Sequence, residues 1–554
     1  MAQPEASAGP RGTQDHPTGP ADRRWLVLAV VAVAQLMVVL DSTIVNIALP
    51  SAQHALAFAN SDRQWVVTAY ALSFGSLLLV GGRLGDMYSR QWILITGLVG
   101  FAVASAVGGA AVSFVMLVAA RALQGAFGAI LAPAALGTLV STFQDPTERR
   151  RAFAVFGSVA VGGGAVGLIL GGVLTQYLSW RYTLFVNLIF AAIAVAGALA
   201  YIRGSRPANP PRMDWPGAAA ACAGLFLIVF GFSRAETDGW TAALTLGSLI
   251  LGAVLLTAFV LAEQRSTHPL LPLRVILDRT RGGSYVAVGI TGISLFGIFL
   301  FLTFYLQQVK GYSPLTTGLL FLPLVAGILV ASTLYSALPP IGPRLLVTAG
   351  MLLGAAGTAY LAQLTVTSSY AAGVLPPLII MGLGFGLIFA AAVNSATAGV
   401  PVQDSGVASA LVNTMQQVGG SIGISVLSTI TASATASYLI AHPTGPQAQA
   451  AAATHGYTLA FAISAALLGL GAILAILMLP ARNPEPEPEA PAPAPAPATA
   501  PATALAPATA PAIAPQNQVA SDLDPAVKVM PVGLLCCSPV IDAGLPPRTA
   551  GPSS

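Results

Sequence analysis

The sequence predicts an all-α membrane protein. Fourteen transmembrane helices form two six-helix pseudo-repeat bundles plus a two-helix insert, with both termini cytoplasmic. Three observations predict this. The chain is 55% hydrophobic and 8% charged, with a mean hydropathy of +0.77, where soluble globular chains carry about 25% charged residues. Apolar runs near twenty residues recur along it, each long enough to cross about 30 Å of hydrocarbon. The basic residues between those runs are distributed one-sidedly.

Residues 1–24 are polar and rich in Pro and Gly, the composition of a disordered cytoplasmic N-terminus. Apolar runs follow near 25–48, 64–81, 92–113, 115–140, 152–174, 182–202, 215–233, 242–262, 283–306, 315–338, 345–364, 372–394, 406–432 and 456–480. The first six make an N-terminal bundle over 25–203. Residues 204–280 are a linker with inserted spans 7 and 8, and 281–480 hold a C-terminal six-helix bundle. Residues 481–554 begin NPEPEPEAPAPAPAPATAP, a Pro/Ala-rich cytoplasmic tail that cannot bury a core. Two-half construction is typical of transporters.

Orientation follows from the Arg/Lys census. With the N-terminus inside, seventeen basic residues flank the spans on the cytoplasmic side and four, Arg63, Arg181, Arg234 and Lys310, on the other. That asymmetry places both termini inside. Basic residues spread this way serve topology rather than nucleic acid. Cys222, Cys536 and Cys537 offer neither a disulfide framework nor metal-ligand spacing.

The chemistry lies where charge enters the spans. Of twenty Asp and Glu only Asp41 is deep, in VVLDSTIVNIALP; of twenty-four Lys and Arg only Arg121 is. A mid-helix Asp or Arg costs about 2.5–3.5 kcal/mol on the insertion scale, so such residues face a partner or a wet cavity. Asp41 lies sixteen residues up span 1 from Trp25, and Arg121 seven residues down span 4 from Phe114. At 1.5 Å per residue both fall in the outer half, about a helical turn apart in depth. They are candidate partners for proton coupling: paired, the carboxylate stays charged; separated, it takes up a proton. A static structural pair is the alternative.

Two glycine motifs follow. GGRLGDMYSRQ, residues 81–91, reads as a tight loop between spans 2 and 3. There Gly82, Arg83, Asp86 and Arg90 are candidates for a cytoplasmic gate, in which Asp86 can cap the next helix and pair with an Arg; an ordinary positive-inside turn is the alternative. In span 5, Gly163, Gly167 and Gly171 share a face with Gly172 beside it, allowing close helix approach. Uncharged polar residues within spans, Gln35, Asn46, Gln124, Asn413, Gln416 and Gln417, with Asn394 at a span end, are candidates for lining a substrate cavity or bonding between helices.

Together these residues resemble the major facilitator superfamily, and within it the fourteen-helix drug:proton antiporter group of multidrug and quaternary-ammonium exporter type, over about residues 25–480. LDSTIVNIALP is similar to that group's span 1 signature. GGRLGDMYSR resembles the loop 2–3 motif at Gly82, Leu84, Asp86 and Arg90, and RALQG the span 4 motif at Arg121, Gln124 and Gly125. The stretch from Gly163 to Gly172 resembles the antiporter motif of span 5. SWRYTLFVN, DWPGA and HPLLPL are also familiar from the group. Leu168, Ser89 and Gln91 depart from the usual Pro, Gly and basic residue.

The resemblance implies proton-coupled efflux of small amphipathic drugs or antibiotics by alternating access. No enzyme activity and no cofactor are expected; the proton gradient is the energy source, and the chain has no Walker loop for ATP. The expected partners are a small-molecule substrate, protons and the lipid bilayer, without nucleic acid. The expected state is a monomer in the bacterial inner membrane. With no deep acid beyond Asp41, the substrate is expected to be neutral, amphipathic or weakly acidic rather than strongly cationic. The alternatives are a proton-coupled importer of a small metabolite on the same fold, and a non-transporting membrane sensor.

Overall fold

The computed structural model describes residues 20–60, 62–202, 204, 214–265, 271, 273–337, 341–398, 400, 405–442 and 447–481. Among them there is no strand, and fourteen helices are long and apolar enough to cross a membrane. The Pro/Ala-rich tail and most of residues 1–24 lie outside the described residues.

The first six spans are α1 (Pro20–Leu56), α2 (Gln64–Met87), α3 (Arg90–Gly109), α4 (Phe114–Thr142), α5 (Pro146–Tyr177) and α6 (Tyr182–Tyr201). The insert is α7 (Trp215–Asp238) and α8 (Ala243–Arg265), followed by the short α9 (Leu273–Ile276). The remaining spans are α10 (Arg279–Phe304), the α11–α12 pair (Pro314–Leu320, Leu322–Ala337), α13 (Pro343–Leu361), α14 (Leu375–Thr397), α15 (Ser405–Ala441) and α16 (Ala448–Met478).

Local sequence explains several starts. Asp145, Asp214 and Asp278 each accept from the first backbone amides of α5, α7 and α10, and Ser113 and Ser313 do so for α4 and α11. Pro146 and Pro314 sit in the first turn, where the missing N–H costs nothing. Two spans carry π-helical turns at one end, Tyr305–Val309 after α10 and Tyr370–Val374 before α14.

Four expectations need correction. The helix begins at Pro20, so residues 20–24 are helical rather than disordered. The segment Gly82–Met87 is not a loop but the last turns of α2, leaving only Tyr88 and Ser89 to turn the chain. Asp86 does not cap α3, because the N-cap is Ser89 and it makes no side-chain cap bond; the Asp86 side chain lies outside the described portion. The tenth span is interrupted at Phe321, and the linker before the ninth contains α9.

Helices α1–α6 pack mainly among themselves, and α10–α16 do likewise. Helix α7 packs on α8 and reaches α2 and α15. Across the seam between the two groups the main contacts are α2 with α15 and α5 with α11. The second span of each group therefore meets the fifth of the other, as a two-fold relation between halves requires. We call the side carrying Arg23 and Leu479 the terminal side, and the opposite one the distal side.

Candidate functional site

Asp41 and Arg121 meet. The α1 turn at Leu40–Ile44 faces inward, and α4 crosses it so that Arg121 Nη1 donates to Asp41 Oδ2 at 2.5 Å. Both side chains are sealed, at 0% and 1% exposure for the two residues. Sealing an ion pair in an apolar bundle costs several kcal/mol per charge unless further bonds satisfy it, and the surrounding helices supply them. Gln124 Nε2 donates to Asp41 Oδ1 at 2.9 Å, and Asn187 Nδ2, from α6, donates to the same oxygen at 2.7 Å. Ser105 on α3 accepts from Gln124 Nε2 at 2.7 Å.

Arg121 has partners beyond Asp41. Its Nε donates to the Val66 carbonyl of α2 at 3.1 Å, its Nη1 to Gln124 Oε1 at 2.8 Å, and its guanidinium lies 4.3 Å over the Tyr70 ring. The cation thus has hydrogen-bond and ring contacts besides the carboxylate. Asn187 Oδ1 is buried without a partner.

Depth arithmetic found the pair but missed Asn187, Ser105 and Tyr70. Asn187 closes the stretch SWRYTLFVN and is a lone Asn in an apolar span, the same signal that singled out Asn46. Nothing in sequence distinguishes Ser105 from the other span serines.

The polar residues expected in the cavity divide. Gln124 is corrected: it is 0% exposed and bound to the ion pair, so it does not line a cavity in this conformation. Asn46 is buried and donates to the Ser42 carbonyl of its own helix at 2.9 Å. Gln35, Gln416 and Gln417 are half-buried and Asn413 is exposed. Asn394 donates to the Tyr335 hydroxyl at 3.0 Å on an exposed surface.

The span 5 glycines do what their spacing indicates. A Cβ at Gly163 meets Leu36, one at Gly167 meets the Leu40 carbonyl and Thr43, and one at Gly171 meets Ile44. All three seat α5 on α1, on the side of α1 away from Arg121. Gly172 points across the seam, where a Cβ stands 2.9 Å from the Pro314 carbonyl. Around the gate motif, Gly82 faces Pro133, and Arg90 donates to the Gly137 carbonyl at 3.1 Å, both on α4 of the same half.

Several hydrogen bonds cross the seam midway or distally. Thr414 donates to the Gly75 carbonyl, Gln307 to the Ile47 carbonyl and Leu315 N to Gln176 Oε1, at 3.2, 3.0 and 3.3 Å. Arg63 reaches the Tyr457 hydroxyl at 3.4 Å. These bonds hold the two halves together on the distal side.

The sequence profile of the Major Facilitator Superfamily matches residues 31–424. The chain belongs to the Major Facilitator Superfamily. This superfamily member is 47% identical over 469 residues to the puromycin resistance protein pur8 of Streptomyces alboniger, covering 84% of this chain and 93% of that protein. It is 39% identical over 421 residues to the cephamycin export protein CmcT of Amycolatopsis lactamdurans, covering 74% and 85%. Its fold matches the crystal structure of a bacterial homolog of the human lysosomal transporter Spinster in an inward-facing, unoccupied conformation. That match has a TM-score of 0.58 at 16% identity and covers 84% of this chain and 98% of the other. As a superfamily member with fourteen spans, the protein is a multi-pass transporter of small molecules in a bacterial cell membrane, not an enzyme.

Proposed function

We propose that this transporter exports small amphipathic antibiotics in exchange for protons by alternating access. The observation carrying the reading is the sealed Asp41–Arg121 pair, held by Gln124 and Asn187. With the termini in the cytoplasm, the inward-opening state of the cycle is the one in which the halves are held together distally. Substrate enters from the terminal side between α1 and α15, past Gln35, Asn413, Gln416 and Gln417. A proton from outside neutralises Asp41 and weakens its bond to Arg121, while Val66, Gln124 and Tyr70 keep the cation satisfied. The loosened contact of α1 with α4 lets the halves rock, with the α5 glycine face as the sliding surface against α1. The motif around Gly82, Arg83, Asp86 and Arg90 steadies the cytoplasmic ends of α2–α4. A neutral or weakly acidic substrate suits a protein in which Asp41, the one acid midway along a span among the described residues, is already paired. The transporter works as a monomer, without a cofactor.

The test is drug-triggered proton release from inverted vesicles, over a panel of antibiotics and dyes that includes puromycin. Wild type responds to at least one compound and Asp41→Asn to none. Equal responses would place proton coupling elsewhere, and uptake driven by the gradient would reverse the direction.

A further inference from the structure

A second buried arginine lies on the distal side, and it has no carboxylate. Arg63, at the start of α2, is 6% exposed and forms no ion pair among the described residues. It reaches across the seam into a cage of rings from the other half. Its guanidinium lies 4.2 Å over Phe304, 5.9 Å from Phe301 and 5.6 Å from Tyr457. Rings offset part of the cost of a buried cation, but they do not accept all its N–H groups in hydrogen bonds. Arg63 Nε has no acceptor.

The arginine borders a cavity of about 240 Å³ between the α1–α2 connection, α15 and α16. Three further donors converge on it. The Ser428 hydroxyl is buried without a partner. Asn60 turns its Oδ1 to Gln53 at 2.8 Å, which leaves its Nδ2 to donate elsewhere. Thr435 adds a hydroxyl, and the rest of the wall includes Ala432, Ala436 and Leu439. A cation without a counter-ion, spare N–H and O–H donors and an apolar wall form a receptor for an oxyanion with a small hydrophobic body. Asp62, next in sequence to Arg63, is half-buried and does not pair with it.

We propose that this cavity binds a small carboxylate, held by Arg63, Asn60 and Ser428 across the seam, and that occupation stabilises the distally closed state. Arg63 and Asn60 belong to the first half and Ser428 to the second. The anion therefore bridges the halves and is released when they part. The site lies at the distal ends of α2 and α15, apart from the Asp41 cluster, and the proposal does not depend on the direction of transport.

The probe is sodium benzoate, titrated into the purified full-length protein in phosphatidylcholine nanodiscs at fixed ionic strength. The thermal unfolding temperature is read together with the distance between spin labels at Ala59 and Ser437. The expected result is a saturable rise in unfolding temperature and a larger closed population. Arg63→Gln weakens the apparent affinity about tenfold or more, the loss of a charge-assisted bond. Ser428→Ala, which keeps the arginine and its cage, weakens it severalfold and guards against a folding failure of Arg63→Gln. No saturable response in wild type, or an affinity unchanged in both variants, overturns the proposal. Stabilisation by added phosphatidylglycerol that benzoate does not compete away also overturns it, assigning the cavity to a lipid phosphate. The readout is binding to the resting protein, so failure here leaves the export reading standing.

Discussion

The two halves of the molecule share a helix arrangement but bury polar groups in different ways. In the first half one buried cluster bonds between helices: Asp41, Arg121, Gln124, Ser105 and Asn187 tie α1, α3, α4 and α6 together. In the second half the buried polar side chains are hydroxyls, and many of them fold back on their own helix. Thr291 donates to the Ala287 carbonyl, Ser425 to that of Ser421 and Thr429 to that of Ser425, at 2.8, 3.0 and 2.9 Å. A back-bonded hydroxyl is satisfied wherever its helix goes. A cluster spanning four helices is satisfied in one arrangement only. The first half therefore concentrates its interhelical polar bonds in one cluster, while those of the second half are scattered single bonds, such as Tyr285 to the Ala408 carbonyl and Thr431 to the Gly456 carbonyl.

Breaking the ion pair gives the largest expected effect. Arg121→Met leaves Asp41 sealed without its cation and costs about 3–5 kcal/mol, seen as a large fall in unfolding temperature in detergent. The double variant Asp41→Asn with Arg121→Met recovers most of that loss while remaining unable to couple protons. If the double variant is no more stable than the single one, the pair is not the source of the cost. Asn187→Ala removes a bond to a charged acceptor and is expected to cost about 1.5–3 kcal/mol, together with part of the drug-triggered proton release. Unchanged proton release would separate Asn187 from the coupling machinery.

Gly167→Leu drives a side chain into Leu40 and Thr43, whose backbone and side chain already approach closely. Overpacking of this kind costs about 1–3 kcal/mol, and transport is expected to fall more than stability if α5 slides on α1. The smallest effect sharpens the contrast from the other half. Thr291→Val deletes only a bond within one helix, so its cost is expected at about 0.6 kcal/mol or less. A loss comparable to Asn187→Ala would show that the second half also depends on its buried hydroxyls.

Sequence alone determined the membrane class, the fourteen spans and the pairing of Asp41 with Arg121. Each rests on a one-dimensional quantity: hydropathy over about twenty residues, the rarity of charge within it, and depth counted at 1.5 Å per residue. The glycine face of α5 was legible for the same reason, because i, i+4 spacing fixes a side of a helix. What that face touches was not legible, since spacing does not name a partner. Only the tertiary structure decided that the glycines seat on α1, that Gln124 belongs to the ion pair rather than to a cavity, and that Asn187 and Ser105 complete it. It also decided that GGRLGDM continues α2, because Gly82 packs on Pro133 of α4 and the turn needs only two residues. Arg63 marks the boundary between the two. Sequence counted it among four basic residues outside, a topological marker. Its burial among Phe304, Phe301 and Tyr457 required residues more than 200 positions away, and no local pattern encodes which aromatic rings from a distant half will close over a cation.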